Sequence, residues 1–403
     1  MPPWSSTASP AGTSDSGLAS SYWLEDEAFV EDVREAIRLM YNQQPAASRR
    51  VLHPWLEQQP EHPLGAFWDG LELWWYILAD LENEAFDDAF ITYMEEANQK
   101  ADRLLRGDRQ HFDGLVLKAL SNAFLARMYA NRERWYKAFR SGRLAFNLLN
   151  TIERQYEEVA ADAAFGFGLY SYFTAYLQDE YRLVRAISWM LPDGNRELGL
   201  RRLEKAAQDG IFLKPEATYF LGHVYLHYER DPDRAEPHLS ALQEHYVRNG
   251  FFNRLVLRAY FRQRRYTEAK ELTDALLQEY EKEIVYDEGV PQSSPEFMET
   301  ARENAVLATL EELHTMRGQI YYQTFSFGEA VEAFEEVRAL ETQLAGAADR
   351  RHQRMATYQL GRSHLRTGNI EAARPLFEAL KARDKDDGFT ERAETQLRRI
   401  PSP

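Results

Sequence analysis

The feature that most constrains this chain is a spacing that recurs along it: a glycine, a tyrosine three residues on, then, after a break, an alanine with a phenylalanine four residues beyond. The stretch LHTMRGQIYYQTFSFGEAVEAFEEV carries it in full as Gly318, Tyr321, Ala330 and Phe334. YQLGRSHLRTGNIEAARPLFEAL repeats Gly361, Ala373 and Phe377 at the same intervals, with His364 in the tyrosine place. A third copy has Gly222 and Tyr225, but its Ala235 arrives one residue late. A fourth keeps Tyr260 and Ala269, with Leu257 in the glycine place and Thr273 in the aromatic place, and a weaker one uses Ala126, Tyr129, Ala138 and Gly142. Each copy reads as two amphipathic helices. Small residues let the two approach closely, and the aromatics fill the seam towards the next pair. One pair cannot bury both of its apolar faces, whereas a stack can. The pattern therefore predicts an all-α fold, a solenoid of stacked antiparallel hairpins.

Periodicity and breakers place helices near 27–43, 46–58, 64–80, 82–106, 112–130, 132–149, 152–178, 195–209, 215–229, 232–248, 250–263, 266–284, 295–324, 326–344, 350–367, 370–383 and 388–399. Paired in order they form about eight hairpins and a terminal capping helix. Residues 1–22, rich in Ser, Pro, Ala, Gly and Thr, read as a disordered leader. Divergent repeats are expected over 23–150, and central repeats over 151–285 with an inserted loop at 179–195. The segment DEGVPQSSP then opens the C-terminal part, 286–399.

Composition removes whole classes of function. The chain has 64 acidic and 48 basic residues, a net charge of −16, which argues against nucleic acid because phosphate binding needs a basic face. It has no cysteine, so disulfides, thiolate metal sites and cysteine nucleophiles are excluded. Its longest uncharged stretch, 163–178, is shorter than the roughly 20 residues of a spanning helix. The leader lacks a basic start and an apolar run. The chain as numbered is therefore expected to be cytoplasmic, or exported if a signal once preceded it.

The repeat spacing resembles the tetratricopeptide repeat superfamily. Within it, AAFGFGLYSYFTAYLQ, RAISWMLPDGNRELGLRRLEKAAQDG and EATYFLGHVYLHYERDPDRAEPHLSALQEHY resemble bacterial relatives of the tetratricopeptide repeat domain 39 and inclusion-body-clearance family. There a Gly-x-Gly-aromatic helix, here Gly166 and Gly168, precedes a loop and a helix like that holding Gly199. The resemblance implies a scaffold or adaptor whose first helices line a concave groove, and it carries over no catalytic residue.

Matching the copies assigns that inner wall. It comprises Arg254, Arg258, Phe261 and Arg262 in one copy, and Tyr219, His223 and His227 in another. Gln319, Tyr322 and Gln323 follow, then Arg362 and Arg366, with Arg127 in the analogous place upstream. Arg254, Arg258 and Arg262 lie at i, i+4 and i+8, on one helical face. Gathered positive charge in an acidic protein suits an acidic peptide or a C-terminal carboxylate, which arginine grips bidentately. The competing reading pairs these arginines with glutamates on adjacent helices.

His223 and His227, at i and i+4, could supply two metal ligands, or be ordinary polar groove residues. Glu311 and His314 have a spacing found in di-metal helix bundles, against which stands placement on a helix surface. The run FWDGLELWWYIL, with Trp68, Trp74 and Trp75, reads as core more readily than as an interface. Gly166 and Gly168 fit close helix packing better than a dinucleotide loop, since no strand precedes them. No Ser/His/Asp grouping, phosphate loop or cofactor motif is present. The expectation is a non-catalytic binding scaffold without cofactor, its oligomeric state open. The alternatives are a structural subunit of a larger or envelope-associated assembly, using the aromatic N-terminal third as an interface, and, more remotely, a metal-dependent enzyme at His223 and His227.

Overall fold

A computed structural model describes residues 22–156, 160–180, 194–281, 295–340, 343–344, 350–383 and 388–401. The leader up to residue 21, most of the inserted loop and the DEGVPQSSP segment before Pro295 lie outside the described residues. Among those described, the secondary structure is helical throughout. The helices are α1 Glu27–Tyr41, α2 Pro45–Gln58, α3 Pro63–Ala79, α4 Asp87–Gly107, α5 Phe112–Asn131, α6 Trp135–Gln155, α7 Ala160–Glu180, α8 Arg196–Asp209 and α9 Lys214–His223. They continue as α10 Pro232–His245, α11 Gly250–Arg262, α12 Tyr266–Glu281, α13 Glu296–Gln323, α14 Phe327–Leu340, α15 Arg351–Arg366, α16 Ile370–Ala382 and α17 Phe389–Arg399. Short polar side chains open several of them by accepting orphan N–H groups, as Asp26 does for α1, Asn249 for α11 and Asn369 for α16.

The turns inside five hairpins share one backbone solution. Gln43, Glu133, Arg264, Phe325 and Gly368 all have positive φ, between 54° and 82°. At each, its N–H bonds the carbonyl three residues back and the next N–H bonds the carbonyl five back, for example Phe325 to Tyr322 and Ser326 to Tyr321. This is the left-handed helix stop that satisfies last-turn carbonyls. The third copy is the exception. Its first helix ends in a π-helical turn, Val224–Tyr228, with Glu229 N–H bonded to Val224 O at 3.0 Å. The residue by which Ala235 arrives late is absorbed there, as an inserted residue widens one helical turn.

Small residues act within the hairpins. A Cβ on Gly318 would lie 2.7 Å from the Phe334 ring, and one on Gly361 2.7 Å from Phe377. Phe334 also packs with Ala356 and Leu360 of the next hairpin, so one ring serves both seams. Gly168 and Gly199 bring α7 and α8 into backbone contact, where a Cβ on Gly199 would meet Gly168 O at 2.9 Å.

Successive helices pack in chain order, and α3 packs in addition against α13 and α11. The chain thus folds back over its own third helix. Trp68, Trp74 and Trp75 on α3 are all buried, with Trp75 edge-on to Phe252 at 5.6 Å. The aromatic run is core and is not available as an interface. Buried polar ties secure the closure. Arg350 spans Asp80 at 2.6 Å and Glu311 at 3.0 Å, and Asn249 donates to the Tyr41 carbonyl at 2.7 Å. Glu311 and His314 are therefore buried rather than on a helix surface, because α15 and the end of α3 cover that side of α13.

Candidate functional site

The thirteen wall residues lie on α5, α9 with the π-turn that follows it, α11, α13 and α15, a strip in which direct contacts join Arg127, Tyr219, His223, His227 and Arg262 at one end and Arg362 to Tyr322 at the other. At its N-terminal end the Arg127 guanidinium lies over the rings of Trp74 at 5.0 Å, Tyr219 at 5.2 Å and Phe220 at 5.0 Å, and donates to the Tyr219 hydroxyl at 2.8 Å. The Tyr219 ring is 5.4 Å from that of His223, and His223 is 4.6 Å from His227. Across the next seam Arg262 donates to the Leu226 carbonyl and lies 3.5 Å from His227 Nδ1. The π-turn follows directly on His223 and contains His227, and the Arg262 bond to Leu226 ties it to α11.

The strip is not uniformly open, and two expectations need correcting. Arg254 is buried: its Nε meets Glu312 at 2.9 Å and its Nη1 donates to the Thr309 hydroxyl. It ties α11 to α13 and is not offered to a partner. Tyr219 is likewise buried, as the platform for Arg127. Arg258 also bonds Glu312 and remains half-buried. Burial works against the Glu312 charge, yet Arg258 and Arg254 hold its carboxyl down to about 2. For these two arginines the pairing with a neighbouring glutamate prevails, because a buried guanidinium needs a counter-charge.

Positive charge is uncompensated elsewhere along the strip. Arg262 is exposed and has no carboxylate partner among the described residues; burial, Arg258 and Arg230 all depress its proton affinity. Burial lowers His223 well below its ordinary value, with His227, Arg127, Arg258 and Arg262 adding to the effect. Burial, Arg258 and Arg262 lower His227 to about 4. Both imidazoles are thus neutral at pH 7, and His223 Nδ1 and His227 Nε2 are buried without hydrogen-bond partners. Among the described residues no third His, Asp or Glu completes a metal-binding group. The surrounding guanidinium groups would also repel a cation, so the pair is a poor metal site.

Beyond α11, Phe261 packs on Tyr266 at 5.6 Å and Gln319 reaches the Met355 sulfur at 3.5 Å. Arg362 lies over Tyr322 at 4.4 Å and bonds Gln359 at 3.0 Å, Arg366 covers Phe327 at 4.7 Å, and Gln323 is exposed. An open cleft of about 430 Å³ follows between α15 and α17. Arg351, Arg362 and Arg392 line it with Gln359, Gln396 and two aromatic rings, and no carboxylate is among its walls.

Glu312, Phe325, Arg351 and Arg392 were missed by the sequence reading. Phe325 had a signal: it stands seven residues after Gly318, where the next copy has Gly368 seven after Gly361. A phenylalanine at φ 65°, 74% exposed, carries a backbone cost that glycine would avoid. Its ring meets Phe327 at 6.0 Å, extending the aromatic surface beside Arg366. Compared with known family models and with curated proteins, the chain matches none.

Proposed function

We propose that this chain is a tetratricopeptide-type solenoid that holds an acidic segment of a partner protein and has no catalytic centre of its own. The observation that carries the reading is the three-arginine cleft without a wall carboxylate in a chain of net charge −16. It continues a strip on which Arg262, Arg362 and Arg366 also lack carboxylate partners among the described residues. The half-buried rings of Phe261 and Tyr322 and the exposed ring of Phe325 offer apolar contact to an extended or helical peptide. Each charge-assisted hydrogen bond would contribute about 1.5–3 kcal/mol, which suits micromolar binding, about −8 kcal/mol.

The test is a pulldown from extract with the full chain and with an Arg262→Glu, Arg362→Glu, Arg392→Glu variant. Arg254 and Arg258 are left intact because reversing them would place like charge against Glu312. Acidic partners held by the parent chain should be lost from the variant. Equal recovery by both refutes the reading.

A specific observation favours a second reading, a subunit of a larger assembly. Helix α6 exposes Trp135 by 62%, Tyr136 by 77% and Phe139 by 47%, an aromatic face of the kind found at protein interfaces. The aromatic N-terminal third would then act through α6, since the α3 tryptophans face inward. Light scattering checks it: a strict monomer, unchanged by added extract, argues for the groove alone.

A further inference from the structure

We propose that the outward side of helix α6 seats the chain on a bilayer surface rich in anionic lipid, a role independent of the cationic strip and of the function proposed for it. The inward side of α6 is occupied by its neighbours: Gly142 lies against Ala126 of α5, Leu149 lies against Gly166 of α7, and Ile152 is buried. Phe146 closes the seam on α7, with Phe167 at 5.4 Å and Tyr170 at 4.4 Å. A helix so packed ordinarily turns polar side chains outward. Here Trp135, Tyr136, Phe139 and Leu144 are exposed.

Positive charge shares that side. Arg134, Lys137, Arg140 and Arg143 are exposed, and no acid occurs between Arg134 and Ile152 in a chain of net charge −16. Glu133, in the preceding turn, is the nearest acid in sequence. None of the four cations has a carboxylate in ion-pair contact among the described residues. Like charges on adjacent turns repel, and an external negative surface relieves that repulsion. At about 100° per residue, Trp135, Phe139, Arg143, Tyr136 and Arg140 follow one another around the helix in that order, so cations stand between rings. A protein interface gathers apolar side chains at its centre and leaves charge at the rim. A headgroup layer takes both at one depth: tryptophan and tyrosine rings settle there, and basic side chains reach phosphates while their stems cover apolar surface. The interleaving therefore favours lipid over a protein subunit as the occupant of these rings.

The full chain is sedimented with vesicles of phosphatidylcholine containing about one-third phosphatidylserine and, separately, with vesicles of phosphatidylcholine alone. Binding to the first should exceed binding to the second at least about tenfold, and should fall away at about 0.5 M salt, where exposed charges are screened. Removing one basic residue at an anionic surface weakens binding about fivefold, so an Arg140→Gln, Arg143→Gln variant should bind at least about twentyfold more weakly. A Trp135→Ser, Tyr136→Ser, Phe139→Ser variant should bind at least about tenfold more weakly for want of apolar contact. Tyr136→Ser alone, with a smaller loss, serves if the triple variant lacks parental circular dichroism. The Arg262→Glu, Arg362→Glu, Arg392→Glu variant should bind vesicles as the parent does, which separates this face from the strip. No binding to the anionic vesicles, equal binding to neutral ones, or parental binding by a folded α6 variant overturns the proposal. Capture of an acidic protein through α6 without vesicle binding assigns the face to a protein and overturns it equally.

Discussion

Replacing Glu311 by glutamine isolates the cost of the buried closure between α3, α13 and α15. Two carboxylates there share one guanidinium: Arg350 lies 2.6 Å from Asp80 and 3.0 Å from Glu311. Burial pushes the Glu311 carboxyl up to about 7 from its ordinary 4.5, Arg350 opposing and Asp80 reinforcing the rise. A raised carboxyl means that between pH 4.5 and 7 the folded state holds a proton the unfolded chain has released. The protonated form's contribution is full below about pH 4.5 and lost as pH rises through 7. A rise of 7 − 4.5 = 2.5 pH units, at about 1.4 kcal/mol each, amounts to about 3 kcal/mol. Glutamine keeps the shape of the protonated acid and has no proton to lose. Urea unfolding of both proteins at pH 5 and pH 8 reads the effect. The stability of Glu311→Gln relative to the parent should rise by about 2.5 kcal/mol between the two pH values, most of the full effect because the unfolded carboxyl is already largely ionised at pH 5, with the urea dependence unchanged. His223 and His227, whose lowered values make stability grow with pH up to about 6.5, contribute equally to both proteins and cancel. Parallel pH profiles would show that Glu311 is already charged or already neutral throughout, and would refute the argument.

Arg254→Ala leaves Glu312 buried with Arg258 alone and should cost about 3 kcal/mol in chemical denaturation, whereas Arg262→Ala should change stability by less than about 0.5 kcal/mol. Equal costs would contradict the division of the strip into a structural and an open part. Gly318→Ala drives a methyl group into the Phe334 ring and should cost about 1–3 kcal/mol. Adding Phe334→Leu should recover part of that loss in a double-mutant cycle, and strict additivity would refute the interlock. Phe325→Gly relieves a left-handed backbone at an exposed ring and should leave stability unchanged or raise it by up to about 1 kcal/mol. The same change should weaken capture of acidic partners, and a more stable protein with undiminished capture would remove Phe325 from the binding surface.

Much of the helical framework was legible along the chain. The expected helices at 295–324 and 370–383 correspond to Glu296–Gln323 and Ile370–Ala382. The boundary near 150 was misplaced: α6 runs to Gln155 and α7 begins at Ala160, because the amphipathic pattern continues past 149 without a proline or glycine to stop it. The late Ala235 was visible as an irregularity but not as a π-turn, since one extra residue can be absorbed by either the helix or the loop.

The site was less legible. Arg254 and Arg262 share a helix face, yet Arg254 is buried against Glu312 and Arg262 is exposed. His223 and His227 lie side by side, their rings 4.6 Å apart, as a spacing of four residues on one helix requires. Their suppressed charge comes from burial and from arginines on α5 and α11, which no local spacing reveals.

The approximate course of the helices, their apolar faces and the small residues at which two helices meet are consequences of contacts within a few turns, and these can be read along the chain. Which inner-wall groups are free depends on what lies across from them, and that is set by packing between distant segments. The chain returns to α3 through Arg350 and Asp80, 270 positions apart, and this closure buries Glu311 and covers Trp75 with Phe251 and Phe252. Long-range packing of that kind follows from the summed geometry of the intervening hairpins, and no single segment encodes it.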